Sequence, residues 1–321
     1  MILDAFLHSL NCVAILVILG SAGYITAHLG WYDEKSSGLI ARLVTFLSLP
    51  AYLFSSVMGN LTHDELLGLL PQVVLPFAVI STGFIISLAV VKFGRVNSIH
   101  RGIFSSAFTC SNNMFIGVPV SLSLFGEAAL IPTLFYFFAN TTFFWTIGNF
   151  LEARDGALAQ HEPLKPLFSW ESLRRVFSPP FCGFLIAMLF VTLDFRPPEF
   201  IMTAARYMGG ITSPLALIFI GLMLYRIGIR NIRFTSDLIW VFAGRFLIMP
   251  ATCLLLSFVF PVSADFAKVF VIQAALPCIT QIAVLAKFHH ADAQFATTCV
   301  ASTTLGCLVA LPVWMIILTQ V

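Results

Sequence analysis

Residues 111–119 read Ser111-Asn112-Asn113-Met114-Phe115-Ile116-Gly117-Val118-Pro119 and lie inside an apolar run long enough to cross a membrane. Proline in a helix interior removes a backbone donor and clashes with the preceding turn, at about 3 kcal/mol or more. Lipid cannot satisfy the carbonyl groups so freed, so a broken helix persists at membrane depth only against protein or a water-filled cavity. An interrupted helix with amides at the break is typical of a midplane substrate site. For this stretch alone, a proline kink packed on neighbouring helices is an equally good interpretation.

The composition of the whole chain is that of an integral membrane protein. Apolar residues make up 59% of the sequence and charged residues only 10%, and the mean hydropathy is +0.96. Soluble domains carry roughly 25% charged residues. The net charge is +2, and no basic run has interleaved aromatic residues, so we expect no nucleic-acid partner. The seven cysteines form no C-x-x-C pair, so we expect neither disulfides nor zinc.

Ten apolar runs are long enough to cross about 30 Å of hydrocarbon. They cover residues 5–29, 37–58, 66–92, 102–125, 129–152, 178–195, 200–226, 237–260, 266–287 and 293–319. The first charged residue is Asp4, and no Lys or Arg precedes Lys35. We therefore expect the first run to be a retained span and not a cleaved signal peptide, which needs a basic n-region.

The basic residues predict the orientation of these spans. Thirteen of the 17 Lys and Arg residues lie in or beside the connectors after runs one, three, five, seven and nine. Because cytoplasmic connectors are enriched in Lys and Arg, these connectors are predicted to be cytoplasmic. Both termini are then predicted outside the cytoplasm, in a multi-pass protein of the cell inner (plasma) membrane.

The two halves of the chain show weak internal symmetry. Thr62-His63-Asp64 at the start of the third run matches Thr235-Ser236-Asp237 at the start of the eighth, and the fourth run, with Pro119, corresponds to the ninth, with Pro277. Five spans in each half give the halves opposite orientations. Paired proline-interrupted spans in inverted repeats are the best sequence indication of a transporter site.

The sequence therefore predicts an all-α integral membrane protein of ten transmembrane helices, arranged as a 5+5 inverted repeat with proline-broken helices 4 and 9. Residues 1–153 form the first repeat, 154–177 a short cytoplasmic linker, and 178–321 the second repeat.

Polar and helix-breaking residues around the two interruptions, with one amide of the fifth run, are the candidate substrate-binding residues. They are Asn112, Asn113, Gly117, Pro119, Asn140, Gln273, Pro277, Thr280 and Gln281. Amides donate and accept hydrogen bonds, so they suit a carboxylate or hydroxyl without placing full charge in the membrane. Helices that start at each break would direct their N-terminal dipoles to the centre, which favours an anion.

Two charged residues are candidates for gating or charge balance. Arg245 lies eight residues past Asp237, so about 12 Å into its span, and an intramembrane charge is a functional candidate by default. It could balance an anionic substrate, snorkel to the cytoplasm or bond free carbonyls near Pro250. Glu152 is among the acidic residues closest to membrane depth. Midplane carboxylates are absent, yet coupling to H⁺ through Glu152, or to Na⁺ through carbonyls, stays open.

Motifs of membrane enzymes are missing from the sequence. There is no intramembrane Asp pair, no H-E-x-x-H, no G-x-S-x-G and no P-loop. We therefore expect no enzyme activity and no cofactor other than a coupling ion.

At these residues the chain resembles the auxin efflux carriers, the family of plant PIN-type carriers and bacterial carboxylate permeases. Two segments resemble its fourth- and ninth-helix crossover motifs: Asn112-x-x-x-x-Gly117-Val118-Pro119 with Gly126, and Gln273-Ala274-Ala275-Leu276-Pro277 with Ala286-Lys287. Glu152-x-Arg154 and Leu311-Pro312 are also similar. The resemblance covers essentially the whole chain. Plant auxin carriers have a long cytosolic loop between the halves, whereas the polar stretch here spans only about 154–175, which favours a prokaryotic carrier of small organic acids.

The resemblance implies that helices 4 and 9 are unwound and cross at their prolines. It also implies a scaffold and homodimer interface of helices 1, 2, 6 and 7, and a transport domain of helices 3–5 and 8–10 that moves as an elevator. Asn112 takes the position of the asparagine that contacts the substrate carboxylate. The expected function is secondary active transport of small organic anions, such as di- or monocarboxylates. An auxin-like aromatic carboxylate efflux carrier, and a membrane sensor that uses the same pocket without transport, are the alternatives.

Overall fold

The computed structural model describes residues 2–161, 177, 179–228 and 234–320, and all regular elements in these ranges are helical. The first half contains α1 (Ile2–His28), α2 (Glu34–Leu43), α3 (Leu49–Asn60), α4 (His63–Leu69), α5 (Val74–Phe93), α6 (Arg101–Thr109), α7 (Val118–Phe125), α8 (Leu130–Phe143) and α9 (Asn149–Gln160). The second half contains α10 (Pro179–Thr192), α11 (Glu199–Gly210), α12 (Thr212–Ile227), α13 (Ser236–Ala243), α14 (Met249–Ser257), α15 (Ala264–Ala274), α16 (Gln281–Phe288) and α17 (Ala293–Leu318).

Short turns of other helix types join several of these helices. Wide π-helical turns cover Val44–Ser48, Asn113–Gly117, Phe144–Gly148 and Gly244–Ile248, and 3₁₀ turns cover Leu70–Val73, Ser98–His100 and Glu127–Ala129. In the described ranges, six continuous helices are long and apolar enough to cross a membrane: Gly38–Asn60, Leu70–Phe93, Glu127–Gln160, Glu199–Arg226, Ser236–Ser257 and Ala293–Leu318. Shorter apolar helices cover Val13–His28, Asn113–Phe125 and Pro179–Thr192.

The outer surface of the molecule is apolar, as expected of a multi-pass membrane protein. Phe93, Phe200 and Tyr207 each expose at least three quarters of their surface, at 77%, 75% and 79%. Large exposed apolar areas are uncommon on soluble monomers. The predicted class, an all-helical membrane protein, is therefore confirmed.

The fourth and ninth predicted spans are both interrupted. Helix α6 ends at Thr109 and the next helical turn begins at Asn113, while α15 ends at Ala274 and α16 begins at Gln281. Pro277 lies in the second gap. Pro119 lies in the first turn of α7, beyond the first gap, where a missing N–H is tolerated. The first interruption is thus earlier in the chain than the proline that predicted it.

The fifth predicted span is longer than its apolar run. It was expected to end at residue 152, but α9 continues to Gln160. The helix therefore extends into the predicted linker 154–177. Residues 162–176 of that linker lie outside the described part of the chain.

Helices from the two halves pack closely against each other. Helices α1 and α12 approach so closely that a Cβ on Gly221 would come within 1.8 Å of the Gly20 carbonyl oxygen. Helices α3 and α10 meet through an edge-to-face contact of Phe54 and Phe190, with ring centroids 5.8 Å apart. The first span thus packs on the seventh, and the second on the sixth.

Candidate functional site

The two interrupted spans meet each other at their breaks. Ser111 and Cys278 form an antiparallel bridge. The Asn112 amide donates to the Pro277 carbonyl at 2.9 Å, and the Ile279 amide donates to the Cys110 carbonyl at 3.0 Å. Backbone groups that lipid would leave unsatisfied are therefore paired between the two breaks.

Asn140 of α8 forms hydrogen bonds with the backbone of the first break. Its Oδ1 accepts from the Ser111 amide at 2.8 Å, and its Nδ2 donates to the Ser111 carbonyl at 3.0 Å. The Asn140 side chain therefore satisfies both backbone groups of Ser111, as the backbone of a neighbouring β-strand would.

Arg245 is fully buried and binds the carboxyl-terminal ends of two helices. Its guanidinium donates to the carbonyls of Phe108 and Thr109 at the end of α6, and to those of Ala274 and Leu276 at the end of α15, over 2.7–3.3 Å. It also donates to the Ser111 hydroxyl. A cation at helix carboxyl ends offsets their partial negative charge. The carbonyls that it binds are those of the breaks and not those near Pro250.

Gln273 of α15 fixes the turn that follows the first break. Its Nε2 donates to the Gly117 carbonyl at 3.1 Å and to the Ser121 hydroxyl at 2.7 Å, and its Oε1 accepts from Asn113 Nδ2 at 2.7 Å. A Cβ on Gly117 would lie 2.5 Å from Gln273 Oε1. An alanine at this position would require the Gln273 side chain to shift.

A cavity of about 100 Å³ lies beside the paired breaks. Its lining comes from α3, α8, α10, α16, the turns Val44–Ser48, Asn113–Gly117 and Phe144–Gly148, and the two breaks: Thr45, Leu49, Ser111, Asn112, Asn113, Met114, Phe115, Phe137, Asn140, Thr141, Trp145, Pro180, Ile279 and Gln281. None of these residues is charged.

Four of the nine predicted binding residues line this cavity: Asn112, Asn113, Asn140 and Gln281. The other five do not line it, namely Gly117, Pro119, Gln273, Pro277 and Thr280. Thr280 immediately precedes α16, and its hydroxyl lies 3.5 Å from Gln281 Oε1. Neither Arg245 nor Glu152 is part of the cavity wall.

Two amide atoms of the wall are buried without a partner among the described residues, the Nδ2 donor of Asn112 and the Oδ1 acceptor of Asn113. Asn112 is 2% exposed, and its Oδ1 accepts from the Phe115 amide at 3.3 Å. Its Nδ2 is buried and has no partner among the described residues. An unpaired buried donor costs about 1–3 kcal/mol, which a ligand acceptor would recover.

The electrostatics of the cavity favour negative charge. Helical segments begin beside it at Asn113 and at Gln281, and helix N-termini attract anions. The opposite, carboxyl-terminal ends of the interrupted spans are bound by Arg245. The cavity therefore lies on the side of the helix N-termini, and the guanidinium lies on the side of the carboxyl-terminal ends.

Sequence reasoning missed several lining residues. Thr45, Trp145 and Pro180 come from other predicted spans, the second, fifth and sixth. Thr45 is a polar residue inside an apolar run, which is a weak signal. Nothing in the sequence marks Trp145 or Pro180 as near the breaks, because their proximity depends on how distant helices pack.

Two interrupted membrane spans that meet beside a cavity with amide groups in its wall are typical of a membrane transporter. The chain belongs to the membrane transport protein family, whose model matches residues 8–315. This confirms the resemblance to the auxin efflux carriers and indicates a transporter, not an enzyme.

Three relatives align along most of their length. The chain is 28% identical to an uncharacterized transporter of Methanothermobacter thermautotrophicus, over 98% of this chain and 99% of the relative. It is 22% identical to an uncharacterized transporter of Methanocaldococcus jannaschii, over 95% and 97%. It is also 22% identical to a Rhizobium meliloti protein named "Putative malonate transporter", over 88% and 87%.

Proposed function

We propose that the protein is a secondary active transporter of small organic anions, with di- and monocarboxylates such as malonate or malate as the substrate class. The observation that carries this proposal is the unpartnered Nδ2 donor of Asn112 in the cavity wall. A carboxylate oxygen would accept from this donor and lie near the helical segments that start at Asn113 and Gln281. No acidic side chain of the wall would repel it.

The size of the cavity supports a small substrate. A water molecule takes up about 30 Å³ in the liquid, so a cavity of about 100 Å³ has room for only a few water-sized groups. This size favours a short organic acid such as malonate or malate over a larger substrate. The name of the Rhizobium meliloti relative supports the same class.

The proposal includes a ten-helix inverted repeat in which helices 4 and 9 cross at their breaks, with helices 1, 2, 6 and 7 as scaffold and homodimer interface. The Ser111–Cys278 bridge supports the crossing. The packing of α1 on α12 and of α3 on α10 supports the scaffold. The cavity has Thr45 and Pro180 on the scaffold side and Asn112 and Asn140 on the other. An elevator movement would slide these two sides past each other.

The test is uptake of labelled malonate and malate into proteoliposomes. Asn112→Ala should lower uptake at limiting substrate about 10- to 150-fold, because a hydrogen bond to a charged group contributes about 1.5–3 kcal/mol. Asn60→Ala, at the exposed end of α3, should leave uptake unchanged and serves as the control.

Three outcomes contradict parts of the proposal. Unchanged uptake of every transported anion by Asn112→Ala would remove the site assignment. Binding in detergent without flux in liposomes would favour the sensor. Transport of aromatic carboxylates in preference to malonate and malate would favour the auxin-like carrier.

A further inference from the structure

Glu152 on α9 is a fully buried carboxyl group without a hydrogen-bond partner. It is 0% exposed, and neither Oε1 nor Oε2 has a partner among the described residues. Other buried carboxylates differ: Asp155 accepts from the amides of Gly102 and Ile103 at 2.7 and 2.9 Å. Glu152 therefore requires its own explanation.

The surroundings of Glu152 contain further unpaired polar atoms. The Ser106 hydroxyl on α6 is the one side-chain donor close enough to act on the carboxyl, and in the described part of the molecule it forms no hydrogen bond of full geometry with any group. The same is true of the Thr109 hydroxyl, one turn further along α6 towards the first break. Because residues three apart share a helix face, these hydroxyls extend from Glu152 towards the cavity region.

No cation is placed to compensate an ionised Glu152. The titratable groups on α9 and on the elements packed against it are His100, Arg101, Cys110, Arg154, Asp155, Cys278, Lys287 and His289. His100 lies 2.9 Å from each of Asp237 and Asp292, and Arg101 donates to the Val96 carbonyl. Arg154 and Lys287 are exposed, and His289 bonds Asn149. Among the described residues, the one charge that acts on Glu152 is that of Asp155, which has the same sign.

These contacts bear on the protonation state of the side chain. A carboxylate without donors or a cation costs several kcal/mol in a protein interior, whereas a neutral carboxyl group costs far less. These surroundings therefore accommodate the neutral acid better than the carboxylate. A group that is neutral when buried and ionises when water reaches it can take up a proton in one state and release it in another.

We propose that Glu152 is the proton-binding site that couples organic anion transport to the proton gradient, with one proton moving with each anion. The step is the reversible protonation of the carboxylate by H⁺, and no other bond changes. Along the helix, Glu152 lies about 18 Å from Asn140 and about 12 Å from Gln160, so it is between the cavity and the predicted cytoplasmic side. This inference rests on the proposed function and adds its coupling ion.

The experiment uses proteoliposomes with a trapped pH indicator and the voltage clamped at zero by valinomycin and equal K⁺. In the wild type, malonate influx should acidify the lumen, and a one-unit pH gradient should accumulate malonate about tenfold. Glu152→Gln, which imitates the neutral acid, should exchange malonate for malonate but move no protons and show no accumulation. Glu127→Gln, exposed at the other end of the same span, should match the wild type.

The outcomes separate this inference from the proposed function. Wild-type malonate flux without proton movement, or with Na⁺ dependence alone, would overturn the inference and leave the transporter intact. Proton-driven accumulation by Glu152→Gln would also overturn it, as would a folded Glu152→Gln that exchanges no malonate. Absence of any anion flux in the wild type would remove the proposed function itself, and the inference with it.

A second measurement covers the case in which Glu152→Gln does not fold. Dicyclohexylcarbodiimide attacks protonated carboxyl groups in apolar surroundings, so it should modify Glu152 of the wild type, as read by peptide mass spectrometry. Modification should fall as the pH rises and should abolish proton movement. Lack of modification at every pH, or modification without effect on coupling, would contradict the proposal.

Discussion

At the scale of single residues, the same amide group has different roles in different places. Asn112 keeps an unpaired donor in the cavity wall. Gln273 uses its amide on Gly117, Ser121 and Asn113. Residue type therefore indicates that a position is polar, and the tertiary contacts decide whether it is available to a ligand.

Gly117→Ala tests the close contact between Gly117 and the Gln273 side chain. Glycine to alanine inside a helix ordinarily stabilises by up to about 1 kcal/mol. Here the added Cβ would lie 2.5 Å from Gln273 Oε1 and 2.7 Å from Leu276 Cδ1. We expect the midpoint of thermal unfolding in detergent to fall, and malonate uptake with it. Gly59→Ala, which has nothing within 4 Å of its Cβ, is the matched control, and an equal effect of both changes would contradict this role.

At the scale of elements, Arg245 joins two helix ends that are far apart in sequence. It binds the carbonyls of α6 and of α15 with a single planar group. An arginine offers five donors in a fixed fork, whereas a lysine offers three on one nitrogen. The pairing of the two breaks therefore depends on the shape of this side chain as well as on its charge.

Arg245→Lys should keep the positive charge but lose the simultaneous hydrogen bonds to the ends of α6 and α15. We expect a lower thermal unfolding midpoint and lower malonate uptake, and a larger loss of both for Arg245→Met, which leaves four carbonyls without this donor. Arg206→Lys, exposed on α11, should be neutral. A rise in the KM for malonate with an unchanged unfolding midpoint would instead indicate that Arg245 binds the anion.

The interruptions of these elements were predictable, and the contacts across them were not. Amides, glycines and prolines inside apolar runs are visible in the sequence, and they indicated both breaks. The break before Asn113 was displaced from Pro119 because a π-helical turn and the first turn of α7 accommodate that proline. The partners of Arg245 and Gln273 lie 29–160 residues away in the chain, so no local pattern reveals them.

At the scale of the whole molecule, the distribution of basic residues predicts which ends of the helices face the cytoplasm. The turn at Glu127 is predicted outside the cytoplasm and the turn at His290 inside it. Both residues are exposed. These two positions therefore report the orientation directly.

Single cysteines in a background without native cysteines test the orientation. Glu127→Cys should react with a membrane-impermeant maleimide in intact cells, and His290→Cys should react only after the cells are permeabilised. The positive-inside bias is the physical reason for this expectation. Labelling in the reverse order would invert the topology, and labelling of both in intact cells would contradict the span assignment.

The bridge made by Arg245 also has a consequence for how the chain is built by the ribosome. The carbonyls of Phe108 and Thr109 enter the membrane well over a hundred residues before their guanidinium partner emerges. Until Arg245 is inserted, water or the insertion machinery must form hydrogen bonds with these carbonyl groups. The Ser111–Cys278 bridge closes later still. The cavity is therefore completed among the last events of biosynthesis, once both interrupted spans are in the membrane.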